Sequence, residues 1–412
     1  MPPWATGAVD VSGGCPAPDV GPEPADTLTA WAASGLMMLT GRPDGPGLGP
    51  PPGLVPGVRR LATEIARRSG RLGRPVVVDP LAVMAERAVL GRMRRGGAVS
   101  CSRASRLVRA GDGWIGVSLA RPSDWDLVAA WLGLDGPVGR SDWATVAAEA
   151  ERHGVVGLLE RSTLLGLPVA RVGERRREAA APGGSDGHVT GIRTRRLGAG
   201  APAVPMTRLV VADLSALWAG PLVGALLRRA GAAVVKVESA SRPDGARRGQ
   251  PDHYRSLNGG KTSTVVEFGS SEGQRTLRSV VEGADVVITA ARPRALEQLG
   301  LDPESTVRDH RPRIWLSISG YGSSAGSGGR VAFGDDAAAA GGLVVWDERG
   351  PCFCADAVAD PVTGLAAASA VFTALEEGGD HLIEASMADV AGGLVQPTPA
   401  VDGSARLAPR PR

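Results

Sequence analysis

The chain of 412 residues is 43% hydrophobic and 22% charged, a balance typical of globular proteins with room for two or three domains and not of disordered chains. A formal net charge of +3 supplies no broad field for nucleic acid. No stretch approaches the roughly 20 apolar residues that a membrane span requires. The opening MPPWATGAVDVSGG has neither the basic start nor the apolar run of a secretory signal, so a cytoplasmic location is expected. Cys15, Cys101, Cys352 and Cys354 are too few and too scattered for a disulfide framework, and the lone C-x-C lacks the second pair of a zinc site. They are expected as reduced, buried thiols, with no bound metal. Nearly all the basic residues are arginine, Lys236 and Lys261 being the exceptions.

Residues 1–26, rich in Pro, Gly and Asp, are predicted to lack fixed structure. Residues 27–90 read as a small-residue helix (TLTAWAASGLMML), a Gly/Pro turn region, a helix (VPGVRRLATEIARRSG), a short strand (PVVVD) and a helix (PLAVMAERAVLG). Residues 91–173 begin with a hairpin, SRLVRAGDGWIGVSLA, whose Asp-Gly marks the turn. Helical periodicity returns in SDWDLVAAWLG and WATVAAEAERHGVVGLLERSTLLG, and the segment closes on a strand, LPVARV. Charge runs, Gly and Pro without a sustained period make 174–205 a linker.

From Thr207 apolar strands alternate with amphipathic helices: LVVADLS, AGPLVGALLRRAGA, AVVKVE, TSTVVEF, SEGQRTLRSVVEGA, DVVITAA, RPRALEQLG and RIWLSISGYG. That order predicts an α/β fold, a parallel sheet covered by helices on both faces. Ligands then bind at the carboxyl ends of the strands, here Ser215–Pro221, Ser239–Arg248 and Ser319–Gly329. Residues 206–330 form this unit, 331–396 a following helical segment, and 397–412 a Pro/Arg-rich tail. Residues 331–396 also echo 24–89. Gly35-Leu36 matches Gly342-Leu343 and Gly57 matches Gly364, and in this register Gly53 stands where the second copy has Asp360.

Four places carry candidate chemistry. In VADPVTG, Asp360 precedes a Pro and a long small-residue helix, the pattern of an N-cap with Pro at the first helical position. A helix N-terminus also favours an ionised carboxylate, the form that attacks a carbonyl, so the capping and nucleophilic roles are compatible. The loop SALWAGPLVGALL lacks G-x-G-x-x-G, which disfavours a dinucleotide. Its helix start at Ala219-Gly220-Pro221 suits either a phosphate or close packing of strand and helix. Lys236, Arg242, Arg247 and Arg248 cluster beside a strand end and fit either a phosphorylated ligand or a solvated basic loop. Lys261, kept as lysine in an arginine-rich chain, fits a tight space for a point charge.

Seven consecutive blocks then resemble the family III CoA-transferases, the group that includes formyl-CoA transferase, carnitine CoA-transferase and α-methylacyl-CoA racemase. They are VVADLSALWAGPLVGALLRRAGAAVVKVE, LNGGKTSTVVEFGSSEG, ADVVITAARPRALEQLGLDPE, IWLSISGYGSSAG, FGDDAAAAGGL, VADPVTGLAAASAVFTAL and LIEASMADVAGGL, within residues 208–396. The resemblance implies a Rossmann-like sheet with helices on both faces plus a smaller α+β domain. It places the family's catalytic aspartate on Asp360 and its CoA contacts on Leu217, Ala219, Lys261, Arg242 and Arg292. It further implies a covalent aspartyl intermediate, a CoA thioester as substrate with no permanently bound cofactor, a carboxylic acid acceptor and an interlocked homodimer.

Residues 1–173 look like the same family's later portion (WAASGLMMLTGRPDG, SRLVRAGDGWIGVSLARPSDW, LLERSTLLGLPVARVGE), so the segment order resembles a permuted or truncated tandem. The chain departs from the family at Trp218, where the transferases commonly carry Gln, and at Ser239 and Gln298, where basic residues are common. The racemase branch has a His where this chain has Asp335, so two-base proton transfer lacks a partner here. Transfer therefore ranks above an acyl-CoA racemase or isomerase, and a catalytically degenerate CoA-binding protein is the third reading.

Overall fold

The computed structural model of the protein describes residues 27–176, 190–198, 204–310, 312–323 and 329–395. The predicted tails, much of the predicted linker and part of the Ser319–Gly329 loop lie outside them. A three-stranded antiparallel sheet comes first, from β1 (Ser105–Ala110), β2 (Gly113–Ser118) and β3 (Val169–Arg171). Gly111 and Asp112 make the hairpin turn, one residue before the expected Asp-Gly. The long helical run after it divides into Trp143–Glu151 and Val155–Leu165, because Gly154 opens the second helix and Asp112 Oδ1 accepts the Val155 N–H at 2.7 Å. Trp131, Ile115, Val117, Val146 and Leu158 make this unit's own core.

The large sheet has seven strands: β4 (Ile192–Gly198), β5 (Val210–Asp213), β6 (Ala233–Ser239), β7 (Thr262–Val266), β8 (Val286–Thr289), β9 (Ile314–Ser319) and, after the hairpin β10 (Val344–Asp347) and β11 (Gly350–Phe353), β12 (Asp380–Ser386). Their order is β4-β12-β9-β8-β5-β6-β7. All neighbours are parallel except β4 and β12. Alternation along each strand divides the side chains between two cores. Val211, Ile288, Leu316 and Ile383 face one, and Ala212, Val287 and Trp315 the other. Helices Ala219–Arg229 and Ala359–Glu377 cover the first face, while Ser271–Glu282 supplies Leu277 and Val281 to the second.

Two expectations are corrected. Residues 190–198, read as linker, carry β4, with Ile192 opposite Ala385 and Thr194 opposite Ile383. Its arginines are the charge run of the sequence, and they suit an edge strand. PVVVD is not a strand. Residues 75–79 run extended, with bonds made to side chains in place of a ladder. Val76 N–H donates to Ser69 Oγ at 2.8 Å, Arg229 donates to the Val77 carbonyl at 3.0 Å, and Asp79 caps the helix Pro80–Leu90 through the Leu81 and Ala82 N–H groups.

The first segment does not stand apart. Helix Leu54–Arg71 buries Leu54, Val58, Leu61 and Ile65 at helical spacing in the same core as the sheet. It packs on Ala359–Glu377, and Arg68 and Arg71 each meet Glu376 at 2.7 Å. No described helix is long and apolar enough to cross a membrane.

Candidate active site

Strand order reverses between β5 and β8, and helix Ala219–Arg229 starts at the carboxyl end of β5, the place where open α/β sheets hold ligands. Helix Ala359–Glu377 crosses it closely because Gly364 has no side chain. A Cβ there would lie 2.9 Å from the Ala219 carbonyl and 2.8 Å from Leu222. One turn earlier this crossing sets Asp360 at the N-terminus of the first helix, where the Ala219 backbone favours its ionised form. Asp360 is not the N-cap. Val358 takes that position and Asp360 is the second residue of the helix. The helix begins early because Ala355 and Ala357 turn the chain at φ 57° and 43°. The Ala355 N–H is held by Thr40 Oγ1 at 3.1 Å and the Ala357 N–H by Asp335 Oδ1 at 3.0 Å. Positive φ on alanine is costly and persists only where such contacts enforce it. Pro361 still falls in the first turn, where its missing N–H is no loss.

Asp360 is partly exposed and stands among charges. Burial pushes its carboxyl up to about 7, with Asp335 and Asp356 adding to the rise and the Arg87 guanidinium opposing it. Asp335 is raised in turn, by burial and then by Asp356, although it accepts hydrogen bonds from Ser105 Oγ and the Ala357 N–H. Asp356, fully buried, receives Arg87 through two bonds of 2.7 Å. Gly334 leaves room for this cluster, because a Cβ on it would come within 2.1 Å of Asp360 Oδ2. Gly334→Ala is therefore expected to displace the carboxylate and lower kcat/KM for any reaction at Asp360 by about 100-fold, measured at steady state.

The structure brings Asp360 and Ala219 together. Leu217 lies beside them at φ 68°, its N–H shared by both oxygens of Asp244 at 3.1 Å, which ties the loop after β5 to the loop after β6. Arg242 is exposed on the latter loop and Arg292 on the loop after β8. Lys261 is enclosed. Its ammonium meets Asp213 at 2.7 Å and the Pro221 carbonyl and Asn258 Oδ1 at 2.8 Å, so its charge holds the helix start from behind. Burial lowers the Lys261 pKa. Lys236 is buried too, donating to the Ser215 carbonyl and lying 3.4 Å from Asp244. Arg247 is paired with Glu238 at 2.5 Å. Of the predicted basic cluster, Arg242, Arg247 and Arg248 are exposed, Arg247 in its pair with Glu238.

Sequence reasoning gave no site role to Arg87, Asp335 or Asp356. Asp335 had a signal, two adjacent aspartates opening an alanine run, and Asp356 stands four residues before Asp360. Arg87 had none, being one arginine among many and far away in the chain. Trp218, buried, sets its ring 5.5 Å from the Arg87 guanidinium carbon and edge-on to His253 at 4.7 Å.

A family model, CoA-transferase family III, matches residues 206–411, half of the chain. The chain belongs to CoA-transferase family III. Among its relatives is a probable fatty acyl-CoA transferase of Mycobacterium tuberculosis, 31% identical over 47% of this chain and 53% of that protein. Others are a succinyl-CoA–D-citramalate CoA-transferase of Chloroflexus aurantiacus, 28% identical over 43% and 46%, and the human succinyl-CoA:glutarate CoA-transferase, 29% identical over 42% and 41%. A CAIB/BAIF family protein of Brucella suis, known from a crystal structure, is 30% identical over 47% of this chain and 55% of that one, with a TM-score of 0.42. The chain spans about half the length of the curated relatives it matches.

Proposed function

We propose that the protein is an acyl-CoA:carboxylate CoA-transferase that works through a covalent intermediate on Asp360. The observation that carries this reading is the placement of Asp360. Its carboxylate meets the N-terminus of a helix at the carboxyl edge of the parallel sheet, within the residues that the family model matches. A carboxyl poised near neutrality is substantially ionised at pH 7 and keeps the basicity that attack requires.

In the proposed cycle the Asp360 oxygen bonds to the thioester carbonyl carbon, and the carbon–sulfur bond breaks to leave CoA thiolate and a mixed anhydride. The thiolate then attacks the aspartyl carbonyl, releasing the donor acid as its carboxylate and leaving an aspartyl thioester. The acceptor carboxylate displaces the thiolate to form a second anhydride. Thiolate attack on the acceptor's acyl carbon yields the new thioester and frees Asp360. The Ala219 backbone favours the charged form of the Asp360 carboxylate, and Ala337 and Ala338, on the helix that opens at Gly334 beside Asp360, are buried and apolar, which suits an anhydride that water would destroy. Leu217, Ala219, Arg242 and Arg292 line the strand ends from which the nucleotide end of CoA would be held, and Lys261 supports that edge from within. The same reading makes the protein a cytoplasmic homodimer without a permanently bound cofactor.

We also read residues 27–90 as an altered second copy of 331–396. Gly35 and Gly342 both adopt φ 81° after a helix, helices 54–71 and 359–377 correspond, and helices 80–90 and 387–394 follow, each capped by a side chain, Asp79 and Ser386. The pairs Arg42–Asp347 and Asp44–Arg349, at 2.6 and 2.8 Å, tie the two segments together.

Hydroxylamine trapping tests the function. After incubation with an acyl-CoA, hydroxylamine should displace the CoA or the donor acid from the activated Asp360 carbonyl and leave a hydroxamate on the Asp360 peptide, read as a mass shift. Exchange of the substrate's α-hydrogen without a mass shift would favour racemisation, and CoA binding with neither would favour a degenerate binding protein.

A further inference from the structure

We propose that Arg87, from the first half of the chain, is the positioning residue and counter-charge for Asp360. This goes beyond the reading above and rests on it. The helix Pro80–Leu90 carries Arg87 to a fully buried Asp356, which takes both arms of the guanidinium at 2.7 Å. Such bidentate geometry fixes the plane of the group. The Trp218 ring, 5.5 Å from the guanidinium carbon, packs beside it, so the residue that departs from the family pattern here is the one that seats Arg87. The helix is itself anchored, since Glu86 accepts from Ser256 Oγ at 2.5 Å.

The groups facing Asp360 come from four elements. Arg87 is on the first-half helix, Asp335 on the helix Gly334–Gly341, and Asp356 on the turn before Asp360's own helix, while helix Ala219–Arg229 gives the Ala219 backbone. Around Arg87 stand Cys101, which burial keeps a neutral thiol, and His253, which burial and Arg87 hold down to about 3 and so neutral. Arg87 is thus the cation among three carboxylates. Bound to Asp356, it acts on Asp360 more strongly than that neighbour does and so favours the ionised, attacking form of Asp360.

The test follows the ionisation of Asp360 directly, by carbon-13 NMR of carboxyl-labelled aspartate in the full chain, with Asp360→Asn to assign the signal. Arg87→Met should move the Asp360 midpoint upward by at least one pH unit. The rate of adduct formation at pH 7 should fall about tenfold per unit moved, with recovery at higher pH. Asp356→Asn, which removes a negative neighbour and keeps a hydrogen-bond acceptor for Arg87, should move the midpoint downward. A merely structural Arg87 would not produce opposite displacements. An unmoved or lowered midpoint in folded Arg87→Met overturns the proposal. If that variant does not fold, an unmoved or raised midpoint in Asp356→Asn overturns it. Opposite displacements with no adduct in any variant would uphold the role of Arg87 and sink the transferase reading.

Discussion

Asp360→Asn is expected to abolish CoA transfer, with a loss of about 10⁴-fold or more, and to leave the protein folded. Asparagine keeps the shape and a carbonyl oxygen, but its amide is not a nucleophile, so the covalent route closes entirely. The fold should gain by the change in mild alkali. In the native chain the Asp360 carboxyl titrates near 7, against an ordinary value of 3.8. The folded state therefore holds the proton more tightly than the unfolded state does. Its contribution to stability is complete in acid and is lost as pH rises through about 7. Melting temperatures at pH 6 and pH 8 check this, since the drop between them should be smaller in Asp360→Asn than in the parent. A variant that still turns over at a tenth of the parent rate would remove Asp360 from the chemistry.

Lys261→Met should destabilise the protein by about 3–5 kcal/mol, the cost of leaving a buried partner uncompensated. Asp213 has no solvent to turn to, its side chain and that of Lys261 both being fully buried. Burial alone would raise the Asp213 carboxyl. Lys261 and Lys236 outweigh burial and hold it below its ordinary range. Without Lys261, Asp213 takes up a proton or the loop carrying Ser215 opens. Urea denaturation reads the loss, and adding Asp213→Asn should restore most of it. A Lys261→Met protein of undiminished stability that had lost only its affinity for CoA would return Lys261 to the direct contact that the family resemblance implies.

The large sheet was legible because its central strands are buried on both faces and its helices are amphipathic, so composition and period agree along β5, β8 and β9. The hairpin at Gly111-Asp112 was legible for a similar local reason. β4 was hidden because an edge strand tolerates arginine at every outward position and so reads as a charge run. PVVVD misled in the opposite sense, since its valines are buried by helices while its backbone bonds to Ser69 and Arg229. At the site, Asp360 was found by its motif, although the turn at Ala355 and Ala357 that moves it inside the helix depends on Thr40 and Asp335, remote in the chain. Arg87 stands 269 residues from Asp356. No window of sequence joins them, and only the packing of the first half on the second does.

The pairing of β4 with β12 sets a timetable for synthesis. Ile192 leaves the ribosome before any other part of the large sheet, yet its partner Ala385 belongs to the last strand made. While the translation of everything between them proceeds, that edge waits in solvent, and closing so wide a loop is slow. Arg193, Arg195 and Arg196 then act as guards, their mutual repulsion keeping nascent chains on one messenger from zipping together before the proper neighbour arrives.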